Sequence, residues 1–260
     1  MADCCEYLHE NSENMGKIIT STTSTMDEKI NPPTLKIQEF WASEEYFFHT
    51  EEQMDLVSKY CPDIKKMLFY FQNTYCRLSV LANFQHLEDL DLWGGAFYTD
   101  GLCDLLEQIG HQLKKLSLVH VEEIDWRAIA IITIACPNLI KLGVQNCEFM
   151  DEDDGQGEER SANDVVDPFR NADRILRMDK WREAQKQVTP LLDLEILKIS
   201  SMCSERTLTF LLSQCINVKE IYMGMTTCIS DQVWSDVFTK NSLSRLERLK
   251  IQKCSKVSTK

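Results

Sequence analysis

The cysteines are the residues of this sequence most suited to chemistry, because thiols form disulfides, bind zinc and act as nucleophiles. The chain has 260 residues and 11 cysteines, and the zinc-site spacing C-x-x-C does not occur among them. Their number is odd, and the N-terminal "MADCCEYLHENSENMGK" lacks the basic start and apolar core of a signal peptide. The sequence therefore predicts reduced thiols in the cytoplasm or nucleus, with no bound metal or cofactor.

An acidic segment, "DEDDGQGEER", offers the carboxylates of a calcium site at Asp151, Asp153 and Asp154. A calcium-binding EF-hand loop needs glycine at its sixth position and glutamate at its twelfth. Counting from Asp151, Gly155 is fifth and Ala162 is twelfth. The segment is therefore interpreted as a solvated loop rather than a calcium site.

Enzyme motifs are absent elsewhere in the sequence. Gly94-Gly95 follows an apolar stretch but belongs to neither G-x-G-x-x-G nor a P-loop, and Gly155 and Gly157 lie among acids that would repel phosphate. The five histidines belong to no nucleophile or zinc motif: His9, His49, His86, His111 and His120. The sequence predicts a protein that is not an enzyme.

The charge and hydropathy of the chain argue against two classes of partner. The formal net charge of −13 repels phosphate backbones and anionic lipid, so neither nucleic acid nor a membrane is the expected partner. The longest nearly apolar run, residues 128–136, is far short of the roughly 20 residues that span a bilayer.

The cysteines belong to a pattern that recurs along the chain. The frame Φ-x-x-Φ-x-Φ, where Φ is apolar, occurs seven times, with first positions separated by 23, 26, 26, 55, 24 and 28 residues. The seven frames are Ile64/Met67/Phe69, Leu87/Leu90/Leu92, Leu113/Leu116/Leu118, Leu139/Leu142/Val144, Leu194/Leu197/Ile199, Val218/Ile221/Met223 and Leu246/Leu249/Ile251. A recurring period in this range is typical of solenoids.

Between the frames the apolar period becomes helical. Thr99, Ser204 and Ser230 are the predicted N-caps of three helices. The predicted buried faces are Leu102/Leu105/Leu106/Ile109, Leu208/Leu211/Leu212 and Val233/Trp234/Val237/Phe238. Each unit is thus a short strand, a turn and an amphipathic helix. Stacked units share a core that one unit alone cannot form.

Most cysteines fall at two fixed phases of this repeat. Cys61, Cys136 and Cys215 lie three residues before a frame, and a second group lies just after the strand: Cys147, Cys203, Cys228 and Cys254. Buried cysteine behaves as a small hydrophobe, and a catalytic thiol requires one cysteine beside a base rather than a series. The cysteines are therefore predicted to pack in the core.

The stretches "CPNLIKLGVQNC", "YTDGL", "TCISD" and "KCSKVS" resemble the cysteine-containing leucine-rich repeats of F-box/LRR proteins. The resemblance covers about residues 61–260. It implies an α/β leucine-rich-repeat solenoid of about seven repeats, similar in architecture to ribonuclease inhibitor, with curved parallel strands inside and helices outside. The best-known members of that family are substrate receptors of Skp–cullin–F-box ubiquitin ligases.

One part of the family pattern is missing. An F-box begins near "L-P-x-E", and no such segment occurs between Met1 and Ile64. Two functions therefore remain open. The first is the substrate-recognition part of a ubiquitin-ligase receptor, for which the resemblance implies Skp and cullin components as partners. The second is a standalone leucine-rich-repeat scaffold or regulator without a ligase role.

Three segments depart from the regular repeat. Residues 1–33 are polar and rich in Ser and Thr, which predicts a flexible tail. Residues 34–63 are predicted as an irregular capping unit, in which "TLKIQEF" forms an edge strand and "TEEQMDLVSKYCP" a helix. The solenoid then covers residues 64–260, with an acidic insert and a helix at about 150–189. Residues 150–165 are expected to be disordered.

The last repeat is incomplete at its C-terminal end. The sequence "LERLKIQKCSKVSTK" stops where the preceding unit begins a helix, so the chain is expected to be truncated within a repeat. Leu249 and Ile251 would then be exposed on an open strand edge. The alternative is a partner that covers this edge.

The alternate positions of each strand are predicted to form the binding surface on the concave face. Several of these residues are aromatic or basic, which is unusual in a chain of this net charge, and such side chains are enriched at binding hot spots. The alternative is that the aromatic ones pack against loops. The predicted binding residues for a protein partner are Tyr70, Trp93, Lys198, Tyr222, Arg248 and Lys250.

Overall fold

The repeated frame folds as a single parallel β-sheet in the computed structural model of the chain. The structure describes residues 34–42, 51–70, 78–94, 99–121, 124, 126–149, 190–224 and 229–252. By their internal contacts Thr34–Lys260 form one compact unit. The eight strands are β1 (Glu39–Ala42), β2 (Lys66–Tyr70), β3 (Asp89–Trp93), β4 (Lys115–Val119), β5 (Lys141–Glu148), β6 (Ile196–Met202), β7 (Glu220–Gly224) and β8 (Arg248–Gln252).

The strands lie in the sheet in their order along the chain, and every neighbouring pair is parallel. A parallel neighbour requires the chain to cross back over one face between strands, and the connecting segments do so mainly as helices. Successive helices pack against each other as the strands do. This topology is that of a leucine-rich-repeat solenoid, and the predicted fold class is confirmed.

The five α-helices of the described residues have 10 or 11 residues each. They are α1 (Glu51–Tyr60), α2 (Thr99–Ile109), α3 (Trp126–Ala135), α4 (Glu205–Gln214) and α5 (Asp231–Lys240), with 3-10 helices at Leu78–Asn83 and Gly110–Gln112. The 3-10 helix Leu78–Asn83 stands where the frame separation is only 23 residues.

The register of the sheet aligns the apolar frame across all repeats. Leu90, Leu116, Leu142 and Leu197 are consecutive partners on β3 to β6, and none of them is exposed. The second ladder, two residues further along each strand, is equally buried from Phe69 to Met223. The prediction that these leucines occupy equivalent buried positions is confirmed.

The ladders persist across the long interval between the fourth and fifth frames. β5 pairs directly with β6, although their frames are separated by 55 residues. At this step, as at the others, one carbonyl accepts two backbone N–H groups from the next repeat. Here the Ile140 carbonyl accepts from Glu195 N at 2.9 Å and from Ile196 N at 3.1 Å. The additional residues therefore do not interrupt the sheet.

The helix caps follow the sequence at two of three positions. Ser204 Oγ accepts a hydrogen bond from Thr207 N at 3.1 Å, and Ser230 Oγ accepts one from Val233 N at 3.4 Å. The third predicted cap, Thr99, stands at the first residue of α2, and its side chain lies outside the described part of the chain.

The buried face of α5 is narrower than predicted. Val233 and Val237, four residues apart, are buried, whereas Phe238 is 56% exposed. Trp234 lies one position round the helix from Val233 and stacks on Phe238, with ring centroids 5.8 Å apart. The 3.6-residue period places this second pair at the edge of the buried stripe rather than within it.

The first strand lies later than "TLKIQEF" indicated. Residues 34–38 belong to no strand, and β1 covers Glu39–Ala42. Its position is set by β2, because Phe40 pairs with Met67 and the Gln38 carbonyl accepts the N–H groups of Lys65 and Lys66. The apolar pattern of Leu35 and Ile37 was misleading in this irregular unit.

A buried column of residues three positions before each frame forms the turn into the strand. In five of the seven repeats the N–H of the first frame residue donates to the carbonyl of this residue, as Leu139 N does to Cys136 O at 3.3 Å. We call the set the turn column. Its members are Cys61, Phe84, Gly110, Cys136, Leu191, Cys215 and Leu243. The three cysteines predicted at this phase are thus packed in the core, and Cys147 and Cys203 after the strands are buried too.

Side-chain amides just before the frames also connect the repeats. Asn138 Nδ2 donates to the His111 carbonyl at 2.6 Å, and Asn217 Nδ2 donates to the Leu192 carbonyl at 2.8 Å. Gln112 makes the corresponding bond to the Phe84 carbonyl at 3.0 Å. Each bond thus joins one repeat to a backbone carbonyl of the preceding one.

Several predictions concern residues outside the described part of the chain: the tail at 1–33, the acidic insert and helix at 150–189, Cys228, Cys254 and the last residues after Gln252. On β8, Leu249 is 46% exposed, whereas its partner Ile221 on β7 is not exposed at all. No helix among the described residues is long and apolar enough to cross a membrane.

Candidate functional site

The outward side of the sheet is the candidate site, and we call it the strand face. Its residues alternate with the apolar ladders, so the sheet itself aligns them in three columns. The first column is Glu39, Lys66, Asp89, Lys115, Lys141, Ile196, Glu220 and Arg248. The second is Trp41, Leu68, Asp91, Ser117, Gly143, Lys198, Tyr222 and Lys250. The third is Tyr70, Trp93, Val119, Gln145, Ser200, Gly224 and Gln252.

The charges on β1 to β4 neutralise one another. Lys66 Nζ lies 2.7 Å from Glu39 Oε1, and Lys115 Nζ lies 2.7 Å from Asp91 Oδ2 and 2.9 Å from Asp89 Oδ1. Burial alone would lower the pKa of Lys115, but its hydrogen bonds to Asp91 and Asp89 outweigh burial and raise that pKa above its usual value. This half of the strand face has no cation left for a partner's carboxylate.

Beside these ion pairs lies an aromatic patch formed by Trp41, Leu68, Tyr70 and Trp93. Trp41 pairs with Leu68 in the register of β1 and β2, and Tyr70 pairs with Trp93 in that of β2 and β3. Trp41 is 54% exposed and Trp93 38% exposed, so much of the aromatic surface meets solvent. Large exposed apolar groups in one patch are typical of interaction surfaces.

Tyr222 organises the other half of the strand face. Its hydroxyl donates to Glu220 Oε2 at 2.6 Å and accepts from Arg248 at 3.1 Å. Arg248 also forms an ion pair with Glu220 Oε1 at 2.8 Å. The Glu220 carboxylate is therefore neutralised, and the polar end of Tyr222 is satisfied within the protein.

A shallow depression of about 200 Å³ lies over β6 to β8. Lys198 and Lys250 flank Tyr222 in the second column, and Lys198 Nζ stands 5.5 Å from the centroid of the Tyr222 ring. We call this group of three the lysine cleft. The depression is also lined by Gln145, Ser200, Gly224 and Gln252.

Lys141 adds a further positive charge next to the lysine cleft. Burial lowers the pKa of Lys141, and repulsion by Lys198 and Lys115 lowers it further. Within the described residues, none of Lys141, Lys198 and Lys250 is within ion-pair distance of a carboxylate. The structure thus concentrates uncompensated positive charge on β5 to β8, in a chain of net charge −13.

The structure divides the predicted binding residues between two places. Lys198, Tyr222 and Lys250 come together in the lysine cleft, with Arg248 held beside them by Glu220. Tyr70 and Trp93 lie apart from these, in the aromatic patch. Of the three predicted aromatic residues, Trp93 is the most exposed, and Tyr70 and Tyr222 are half-buried.

Sequence reasoning missed three members of the surface. Trp41 was missed because β1 was expected to end before it, and Leu68 because an aliphatic residue at an outward position gives no distinct signal. Lys141 occupies an alternate, outward position of its strand but was not chosen as a binding residue. Its lack of a carboxylate partner depends on which side chains face it across the sheet, and the sequence does not show this. Trp41 lies two residues after Glu39 and is the register partner of Leu68, so it faces the same side of the sheet as both residues.

The described thiols are unsuited to nucleophilic chemistry. Cys61, Cys103, Cys136, Cys147, Cys203 and Cys215 are all buried thiols. Burial raises the pKa of Cys136 to about 12 and that of Cys215 further, whereas a reactive cysteine needs a lowered pKa. Among the described residues, no group of three or more His, Cys, Asp or Glu side chains is placed to hold a metal ion.

A parallel solenoid with a broad, side-chain-rich strand face is the architecture of repeat proteins that bind partners along the inside of the solenoid. This is the class that the fold and the strand face define. No protein-family model matches the chain, and no curated protein matches it.

Among solved structures, the chain is similar to an internalin (inlF) from Listeria monocytogenes. The TM-score is 0.42 and the sequence identity 12%, over 78% of this chain and 52% of the internalin chain. The match therefore spans about half of the internalin's length.

Proposed function

We propose that this chain is a protein-binding module whose partner lies across the strand face. The observation that carries the proposal is the composition of that face. It combines the exposed aromatic patch with lysines that have no acidic partner of their own. Trp, Tyr and Arg are the residue types enriched at binding hot spots, and complementary charges add specificity.

The dimensions of the strand face favour a macromolecule over a small ligand. The depression of about 200 Å³ is smaller than the roughly 300–1,000 Å³ typical of small-molecule sites. Eight strands at about 4.8 Å spacing, by contrast, give a surface about 34 Å wide. The net charge of −13 disfavours a nucleic acid, so a protein is the best-matched partner.

Site-specific photo-crosslinking in the chain's own cells tests the proposal. A photoreactive amino acid replaces Trp93 or Tyr222 on the strand face, and in a matched control it replaces Gln232, an exposed residue of α5. The expected result is the same crosslinked protein from both strand-face positions and none from the control. A partner captured from Gln232 but from neither Trp93 nor Tyr222 would contradict the proposal.

A finer function, substrate recognition for a Skp–cullin–F-box ubiquitin ligase, is supported by the resemblance to cysteine-containing repeats. The observation that favours it is the buried turn column, where Cys136 and Asn138 of "CPNL" each have a defined packing or hydrogen-bonding role. Affinity purification tests it: a Skp-type adaptor or cullin should co-purify with the chain. Their consistent absence would favour the standalone scaffold or regulator.

A further inference from the structure

The two halves of the strand face differ in charge. Over the three columns, β1 to β4 hold three carboxylates and two lysines, and every lysine is paired. Over the same columns, β5 to β8 hold one carboxylate, Glu220, against Lys141, Lys198, Arg248 and Lys250. Apolar contact is thus offered at one end of the strand face and positive charge at the other.

Neither lysine of the lysine cleft has a carboxylate partner among the described residues. The Tyr222 hydroxyl is turned to Glu220 and Arg248, so its ring offers an apolar surface between the register positions of Lys198 and Lys250. Lys198 and Lys250 lie on β6 and β8, two strand spacings or about 10 Å apart at their Cα atoms. Side chains of that length can approach one anionic group, or two adjacent ones, from opposite sides.

The separation of the two sites along the sheet follows from the strand order. Trp93 lies on β3 and Tyr222 on β7, which are four strand spacings or about 19 Å apart. An extended peptide advances about 3.3 Å per residue, so about six residues cover this distance. On β4 and β5 the second column carries the small residues Ser117 and Gly143, which leave a path across these two strands.

We propose that the strand face recognises an extended acidic peptide segment of its partner at two points. An apolar or aromatic residue of the segment contacts the aromatic patch. A pair of carboxylates about six residues away binds in the lysine cleft. This inference rests on the proposed function and adds the chemistry and the spacing of the segment.

A series of labelled peptides tests the inference on the full chain by fluorescence anisotropy. Each peptide carries Trp-Leu at one end and Glu-Glu at the other, with Ser-Gly spacers of two to ten residues, in both chain directions. Affinity should be highest with a spacer of about four or five residues, which places the nearer Glu about six positions from Trp, because a linker that cannot span two sites gives no gain from the second. Replacing Glu-Glu by Gln-Gln should remove that maximum, and a phosphoserine version separates phosphate from carboxylate recognition.

Matched charge variants locate the contacts. The Lys198→Gln/Lys250→Gln variant should weaken binding of the best peptide about five- to tenfold. The Lys59→Gln/Lys240→Gln variant removes the same charge from the last turns of α1 and α5 and should change affinity less than about twofold. Trp93→Ala should weaken binding by about thirtyfold if this ring is a hot spot.

The outcomes separate this inference from the proposed function. No binding by any peptide, equal affinity at all spacings, binding of the phosphoserine version alone, or equal losses in both lysine variants would each overturn two-point recognition. If photoreactive residues in place of Trp93 and Tyr222 still crosslink the cellular partner, the proposed function stands without two-point recognition. Crosslinking from Gln232 but from neither strand-face position would remove the proposed function itself.

Discussion

Gly110 is the position at which the spacing between repeats can be tested most directly. It belongs to the turn column, where other repeats place a cysteine, a leucine or a phenylalanine. A Cβ atom at Gly110 would lie 2.6 Å from the Ala135 carbonyl oxygen and 3.0 Å from Cys136 Sγ. Such distances are well inside van der Waals contact. Alanine at this position therefore requires the ends of α2 and α3 to move apart.

The expected cost follows from the atoms involved. Overpacking a core by one methyl group typically costs 1–3 kcal/mol, and the nearest atom here is backbone rather than a flexible side chain. We expect Gly110→Ala to lower the free energy of unfolding by about 1–3 kcal/mol, or the melting temperature by about 3–10 °C. Adding Cys136→Ala should not restore stability, because the Ala135 carbonyl remains.

Gly101 provides a matched control within the same helix. A Cβ atom there would meet nothing within 4 Å, and Gly101 lies inside α2. Gly101→Ala should raise stability by about 0.5–1 kcal/mol, because alanine restricts the unfolded chain and favours helix. Differential scanning calorimetry of both variants gives the comparison. A Gly110→Ala protein that melts at or above the wild-type temperature would refute the reasoning about repeat spacing.

Four further results are expected. Leu142→Ala should cost about 2–5 kcal/mol in urea unfolding, since its side chain is fully buried in the first ladder; a cost below 1 kcal/mol would argue against that ladder. Asn241→Ala should cost about 2–4 kcal/mol by the same measurement, because it removes the amide that donates to the carbonyls of Leu212 and Cys215 and the oxygen that accepts from Leu243 N; a neutral effect would contradict this. Lys115→Met should lower the melting temperature at pH 7, and the difference from wild type should shrink above about pH 10.4. The reason is that a lysine whose pKa is raised on folding contributes stability only below the pH at which the folded protein loses that proton. A difference that persists unchanged to pH 12 would exclude the ion pairs as its cause. Reductant and chelator should leave the melting temperature unchanged in a thermal-shift assay, and unfolding by either would show a disulfide or metal that the packing account omits.

The sheet could be predicted from the sequence because one physical rule repeats. Residues at alternate positions of a strand face the same side, so an apolar frame at a nearly constant interval fixes both the strands and their register. Leu90, Leu116 and Leu142 therefore align as the frame requires. The same rule identified the outward residues, which include all six predicted binding residues.

What the sequence did not reveal depends on distances between repeats. The close approach of Gly110 to the Ala135 carbonyl and the Asn138 bond to His111 join residues 25–27 positions apart. Local patterns carry no direct signal for either. The exposure of Phe238 depends on how far α4 covers the stripe of α5, which a helical period defines only to within about one residue.

The alternation of the strand also explains how the two halves of the strand face can differ within one fold. The inward residues are constrained in every repeat, because each must fill the core at native density. The outward residues contribute little to that packing, so their identity is free to change from strand to strand. In this chain Tyr70 and Trp93 at one end and Lys198 and Lys250 at the other occupy positions that the same backbone geometry creates. Neighbouring strands lie about 4.8 Å apart, so in the proposed recognition the spacing of the contacts is set by which strands carry an aromatic ring and which carry a charge.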